Sequence, residues 1–126
     1  MERLTRARMN AIHALATLEE IINEPVNTIV RDAAIQRFEY TFETVWKMLK
    51  VYLLERHGID AGSPKSCFRE AFRTGLLSQD RTDRAMVMTD DRNLTSHTYI
   101  EAVADTVYSR IPGHAELMRI VVEKAV

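Results

Sequence analysis

The sequence predicts an all-α fold, an antiparallel up-and-down bundle of four or five helices. Three observations carry that expectation. Apolar residues return every three or four positions along most of the chain, which is the period of one helix face. One such stretch runs for about thirty residues, the length of a bundle rod rather than of a strand. Only four glycines and three prolines occur in 126 residues, which excludes a collagen-like, linker-rich or turn-dense all-β chain.

The first helix is expected over roughly residues 3–23. Leu4, Ala7, Ala11, Leu15, Leu18 and Ile22 form its apolar face, with Arg3, Arg6, Glu19 and Glu20 largely off it. Asn23-Glu24-Pro25 interrupts the pattern, because proline cannot continue a helix interior. The second helix is expected from Asn27 to His57, with Val30, Ala34, Phe38, Phe42, Val45, Leu49 and Leu53 in register. At 1.5 Å per residue, about 30 residues make a rod of roughly 45 Å. Aromatic residues on such a rod predict a further apolar stripe buried against a second copy of the chain. Gly58 occupies the C′ position, and Arg56 and His57 suit the negative end of the helix dipole.

Ser63-Pro64 reads as an N-cap followed by proline at the first helical position. A short helix follows with Cys67, Phe68, Ala71 and Phe72 inward, closed by Gly75. A fourth helix is expected to start near Asp80 and to carry Ala85 and Met88. From Thr98 the pattern continues through Ala102, Val103, Val107, Tyr108 and Ile111. Pro112-Gly113 is expected to break it before Leu117, Ile120, Val121 and Val122 resume. Residues 1–126 are read as a single domain.

Charge and cysteine content exclude several function classes. The net charge is −1. Neither half of the chain is basic, so a broad electrostatic footprint for nucleic acid is absent, and any such chemistry must be local or built by two chains. The one cysteine, Cys67, excludes an internal disulfide framework and fits a small core residue in a reducing compartment. No apolar run approaches the roughly 20 residues of a membrane span. The first residues lack the apolar stretch of a signal peptide. These features lead to the expectation of a cytoplasmic protein without membrane contact.

The segment Asp90-Asp91-Arg92-Asn93-Leu94-Thr95-Ser96-His97-Thr98-Tyr99 concentrates ionisable and polar groups. On one continuous helix Arg92 and His97 would lie about 140° apart and could not face one site. Thr98 and Glu101 have the spacing of a capping box, which predicts a new helix from Tyr99 and leaves His97 in the connection. The turn could then fold Arg92, Asn93 and His97 toward one point. Backbone N–H groups at Tyr99 and Ile100 would suit a phosphate. Such a set permits phosphodiester cleavage without a metal. Histidine exchanges a proton with an attacking or leaving oxygen, arginine holds the crowded phosphate, and Asn93 positions either. A polar loop with His97 bonded to a backbone carbonyl is the plainer alternative.

Arg92-Asn93-Leu94-Thr95-Ser96-His97 resembles the Arg-x4-6-His motif of HEPN domains. Extended to Tyr99, it resembles the Arg-x4-His-x-Tyr motif of HEPN toxins encoded beside minimal nucleotidyltransferases (MNT). Arg31-Asp32-Ala33-Ala34-Ile35-Gln36-Arg37-Phe38-Glu39, Thr44-Val45-Trp46-Lys47, Ser63-Pro64 and Arg69-Glu70-Ala71-Phe72 are similar to the nucleotidyltransferase substrate-binding branch of that family. The likeness spans roughly residues 10–122. An aromatic residue expected near Ala85 is missing. The resemblance implies a homodimer that cleaves RNA in a shared cleft, with Arg92 and His97 catalytic, Asn93 supporting and no cofactor. It further implies that Tyr99 accepts AMP from a cognate nucleotidyltransferase antitoxin. A non-catalytic substrate-binding subunit of that nucleotidyltransferase is the alternative implication.

Other residues have plainer readings. Glu39, Glu43 and Lys47 follow i,i+4 spacing, so a solvated ion-pair row is expected, and Arg37 flanks the same seam; lining of the cleft is the alternative. Trp46 reads as a core or interface anchor. His13, His57 and His114 lack metal-ligand spacing and are expected at the surface or at caps. Asp90 and Asp91 are expected to be solvated or paired with Arg92.

Overall fold

The structure, a computed structural model, describes residues 2–126. The described residues form five α-helices and no strand: α1 (Arg3–Ile22), α2 (Thr28–His57), α3 (Pro64–Arg73), α4 (Gln79–Leu94) and α5 (Glu101–Lys124). A 3₁₀ turn at Thr95–His97 joins the last two. Short connections make successive helices neighbours, as an up-and-down bundle requires.

Local chemistry sets most boundaries. The Asn27 side chain accepts the Val30 N–H at 2.8 Å, and α2 ends at Gly58 with φ of 67°. Only glycine takes that left-handed conformation freely, so the chain turns there without strain. Ser63 caps α3 by accepting the Ser66 N–H, and the Ser66 hydroxyl accepts the Ser63 N–H in return, closing a capping box. Ser78 caps α4, which starts at Gln79, one residue before the expected start near Asp80.

α1 and α5 both pack on α2, and α3 and α4 cover its other end. Leu15, Leu18, Phe38, Phe42, Leu49, Phe68, Met88, Leu117 and Met118 are fully buried in one continuous core. Polar ties join its layers. Arg37 donates to the Thr17 carbonyl at 2.7 Å, and Thr41 donates to the Ala14 carbonyl at 3.1 Å, both between α2 and α1. Arg119 of α5 pairs with Glu19 of α1. Arg31 at the start of α2 pairs with Asp32 and, across the bundle, with Glu101 and Asp105 of α5. These carboxylates raise the Arg31 guanidinium above its ordinary range, and Arg31 in turn lowers Glu101. Cys67 is buried, and desolvation pushes its thiol up to about 11. None of the described helices is long and apolar enough to cross a membrane.

Three sequence expectations are corrected. α5 passes through Pro112 and Gly113 without a break. Proline removes one hydrogen bond, but Val107, Ile111, Ala115, Leu117 and Met118 are buried on both sides of it, and that burial carries the helix across. Thr98 and Glu101 form no capping box. The cap of α5 is Ile100, without a side-chain bond, while Thr98 donates to the Thr95 carbonyl and Glu101 pairs with Arg31. Phe72 is 43% exposed rather than inward, because Phe68 and Ala71 already fill the buried face of the short α3.

Candidate functional site

The last turn of α4 and the 3₁₀ turn after it carry the candidate residues. Arg92 leaves α4 toward α2 and reaches a cleft of about 300 Å³ lined by Gln36, Glu39, Tyr40 and Glu43. Its Nη1 donates to the Thr95 hydroxyl at 3.0 Å, and that hydroxyl donates to the Arg92 carbonyl at 2.6 Å. Arg92 Nε lies 3.5 Å from Glu43 Oε1, close enough for an ion pair, yet this buried nitrogen makes no hydrogen bond. Glu43 is held from the other side by Trp46 Nε1 at 3.1 Å, with Lys47 at 4.0 Å. Trp46 is half-buried against the core, in keeping with an anchoring role.

His97 is exposed at the end of the 3₁₀ turn, its ring edge-on to Tyr99 with centroids 6.2 Å apart. Its carbonyl accepts the Ile100 N–H at 3.1 Å. That bond engages the Ile100 N–H, and α5 starts at Glu101, so the expected helix N-terminus at Tyr99 and Ile100 is not formed. Asn93 is exposed, and its carbonyl accepts from Ser96. Among the described residues no hydrogen bond joins the side chains of Arg92, Asn93 and His97.

The face of α2 links Arg92 with Tyr99, while His97 and Asn93 line neither space. Tyr99 and Thr98 line a second cavity of about 320 Å³ with Asp32, Gln36 and Glu39. Gln36 and Glu39 line both spaces, so the Arg92 cleft and the Tyr99 cavity adjoin along one polar stripe. Asp32, Gln36, Glu39 and Glu43 recur at helical spacing, which aligns them on that stripe. Glu39 and Glu43 therefore line the cleft rather than form a purely solvated row, while Arg37 is committed to α1.

The residue before Arg92 has the opposite setting. Asp91 is buried and accepts from Arg110 Nη1 at 2.7 Å and from His114 Nε2 at 2.7 Å, both from α5. This corrects two expectations at once: Asp91 is neither solvated nor paired with Arg92, and His114 is not a surface residue. Asp90 pairs with Lys65 at 2.7 Å. The reason is register. With α5 continuous through Pro112, His114 falls three residues after Ile111 and seven after Val107, on the inward face. His114 also stacks on Phe38, with centroids 5.4 Å apart. Desolvation lowers its pKa below the ordinary histidine value, and Arg110 and Arg84 add to the lowering against the opposing pull of Asp91. Neutral His114 thus keeps a proton on Nε2 for Asp91. Thr95 was also missed, although its i+3 spacing from Arg92 was a usable signal.

Comparison with known proteins adds the family. A Haemophilus influenzae protein named "Probable ribonuclease HepT" is 37% identical over 92 residues, which cover 67% of this chain and 62% of that protein. A crystal structure from Thermus thermophilus matches with a TM-score of 0.88 and 46% identity, over 91% of this chain and 98% of that one. A Haemophilus influenzae structure, described as the fold of a substrate binding domain of a nucleotidyltransferase, matches with a TM-score of 0.70 and 27% identity. It covers 97% of this chain and 96% of that one. Residues 7–125 match the family described as "Nucleotidyltransferase substrate binding protein like". The chain belongs to that family.

Proposed function

We propose that the chain is the toxin of a toxin–antitoxin pair, an endoribonuclease that cleaves RNA without a metal in a cleft shared by two copies. The observation that carries this reading is the placement of Arg92. Its guanidinium is held by Thr95 in a cleft that adjoins the cavity of Tyr99, and Tyr99 stands edge-on to His97. In the proposed reaction His97 takes the proton of a ribose 2′-hydroxyl. The 2′-oxygen forms its bond to phosphorus, the bond to the 5′-oxygen breaks, and that oxygen leaves with a proton given up by the protonated His97 of the second copy. Arg92 stabilises the charge of the crowded phosphorus, and Asn93 supports it.

The same geometry argues for two copies. In one protomer Arg92 faces Glu39 and Glu43, so the local charge does not favour a phosphate. A second copy would bring another Arg92 and His97 to the cleft. Purified protein should sediment at twice its monomer mass. Arg92→Ala and His97→Ala should each lower RNA cleavage by about 10²-fold or more, with helicity unchanged. Cleavage that persists in both variants would overturn the assignment.

Tyr99 is proposed as the control point. It is 80% exposed beside His97. Its hydroxyl would attack the α-phosphate of ATP held by a cognate nucleotidyltransferase, and pyrophosphate would leave. The attached AMP would place a charge and a base beside the cleft. The second reading is a non-catalytic subunit that presents substrate to the nucleotidyltransferase. The family description and the Haemophilus substrate-binding-domain structure favour it. Wild-type protein that binds the nucleotidyltransferase but cleaves no RNA would select it.

A further inference from the structure

A separate open cleft of about 430 Å³ lies between α4 and α5. Arg84, Val87, Ser109, Arg110, Gly113 and His114 line it. Its floor is a buried Asp91–His114 pair, and the imidazole is the part of that pair that lines the opening. The side chain of His114 is 9% exposed, and its Nδ1 has no hydrogen-bond partner among the described residues. Arg110 spends Nη1 on Asp91 and is otherwise 47% exposed. Arg84 has no carboxylate within ion-pair distance among the described residues and makes only a 3.4 Å bond to the Gly113 carbonyl. Both arginines are close enough to His114 to disfavour its protonation. Asp83 lines the cleft as well, its carboxylate engaged by the Gln79 amide at 2.9 Å.

We propose that this cleft binds a nucleotide phosphate, held by Arg84, Arg110 and His114, with the base against Val87 and the arginine stems. Two guanidiniums and one imidazole offer donors in several directions around one point, which matches a multi-oxygen anion. The volume suits a mononucleotide-sized group. The walls beside the charged groups are mainly apolar, and guanidinium planes also stack on bases. An anion bound there offsets the repulsion from Arg84 and Arg110, so it favours the protonated imidazole. The groups that face His114 are Asp91 and Arg84 from α4 and Arg110 from α5, with Asp83 of α4 lining the same cleft. From α2 it meets Phe38, which does not titrate. None of its residues lines the Arg92 cleft.

The test uses the full chain carrying Arg92→Ala, so that the other cleft contributes no guanidinium. Histidine ring signals are followed by NMR against inorganic phosphate, purine and pyrimidine 5′-monophosphates, and a short oligoribonucleotide. The expected result is that a nucleotide shifts the His114 signal and raises its pKa, at concentrations at least tenfold below those inorganic phosphate needs. Adding Arg84→Gln, a change at a partly exposed residue outside the Asp91 network, should weaken that binding tenfold or more. Adding Val87→Ala, which removes apolar surface without adding charge, should weaken the nucleotides but not inorganic phosphate. Preference for the oligoribonucleotide over the monophosphates identifies an RNA strand as the source, and equal affinity identifies the free nucleotide. A His114 signal that no nucleotide moves at millimolar concentration would overturn the proposal. So would equal binding of inorganic phosphate, or binding indifferent to Arg84→Gln.

Discussion

Asp91 is 1% exposed and closed in by two donors from α5, whereas Arg92, the next residue, reaches into an open cleft on α2. One helical step of about 100° separates the two directions. The inner side of this turn is a buried ionic network, and its outer side is a set of exposed polar groups. Burial makes the first a matter of stability. Charges removed from water must keep their partners, while exposed groups lose little when a contact is broken. The inner network also fixes the turn from which Arg92 departs. The open cleft of Arg92 is thus carried by the same turn as a largely buried ionic network.

The largest expected effect comes from breaking the closed side. Asp91→Ala leaves His114 without its acceptor in the core and Arg110 without its carboxylate. The expected loss is about 3 kcal/mol, the low end for breaking a buried pair, because Arg110 can turn toward water. Urea unfolding should show it as a lowered midpoint. A loss under about 1 kcal/mol would mean that α4 and α5 are held together by apolar packing alone.

The two sides also differ in how far the sequence disclosed them. The helix ends at Asn27, Gly58 and Ser63 were legible because each acts through bonds within a few residues. Arg92, His97 and Tyr99 were legible as a linear motif. The Asp91 network was not, because its three members come from two helices and are 19 and 23 residues apart. One local misreading hid it further: a helix stopped at Pro112 loses the register that turns His114 inward. Arg31 was hidden in the same way, since its partners Glu101 and Asp105 lie 70 and 74 residues on. Tertiary packing decided these contacts, and periodicity carries no record of it.

A change of pH should separate the two sides with a smaller effect. Burial holds the folded pKa of His114 below the ordinary value of 6.5. The unfolded chain therefore binds the His114 proton more readily than the folded one. Its contribution to stability is complete above pH 6.5 and is lost as pH falls from there through the folded pKa. The urea midpoint should drop over that window. His114→Gln keeps a donor for Asp91 but cannot titrate, so the drop should shrink in that variant. An identical pH profile in both proteins would place the titration elsewhere.

The smallest effect on stability is expected on the open side, and its smallness is the point. Tyr99 is 80% exposed, and its ring meets only the edge of His97. Tyr99→Phe removes one hydroxyl that already faces water, so the urea midpoint should stay within about 0.5 kcal/mol of the wild type. His97→Ala should behave alike, since that ring is exposed and makes no hydrogen bond among the described residues. Unchanged folding makes Tyr99→Phe a clean probe of the proposed control. Incubated with the cognate nucleotidyltransferase and ATP, wild-type protein should gain the mass of one or more AMP groups and lose RNA cleavage. The Tyr99→Phe protein should gain none and stay active. A Tyr99→Phe protein that is modified and silenced as the wild type is would move the control point to another hydroxyl. A midpoint lowered by more than about 1 kcal/mol would show instead that this turn is braced through Tyr99, and the contrast between the two sides of α4 would fail.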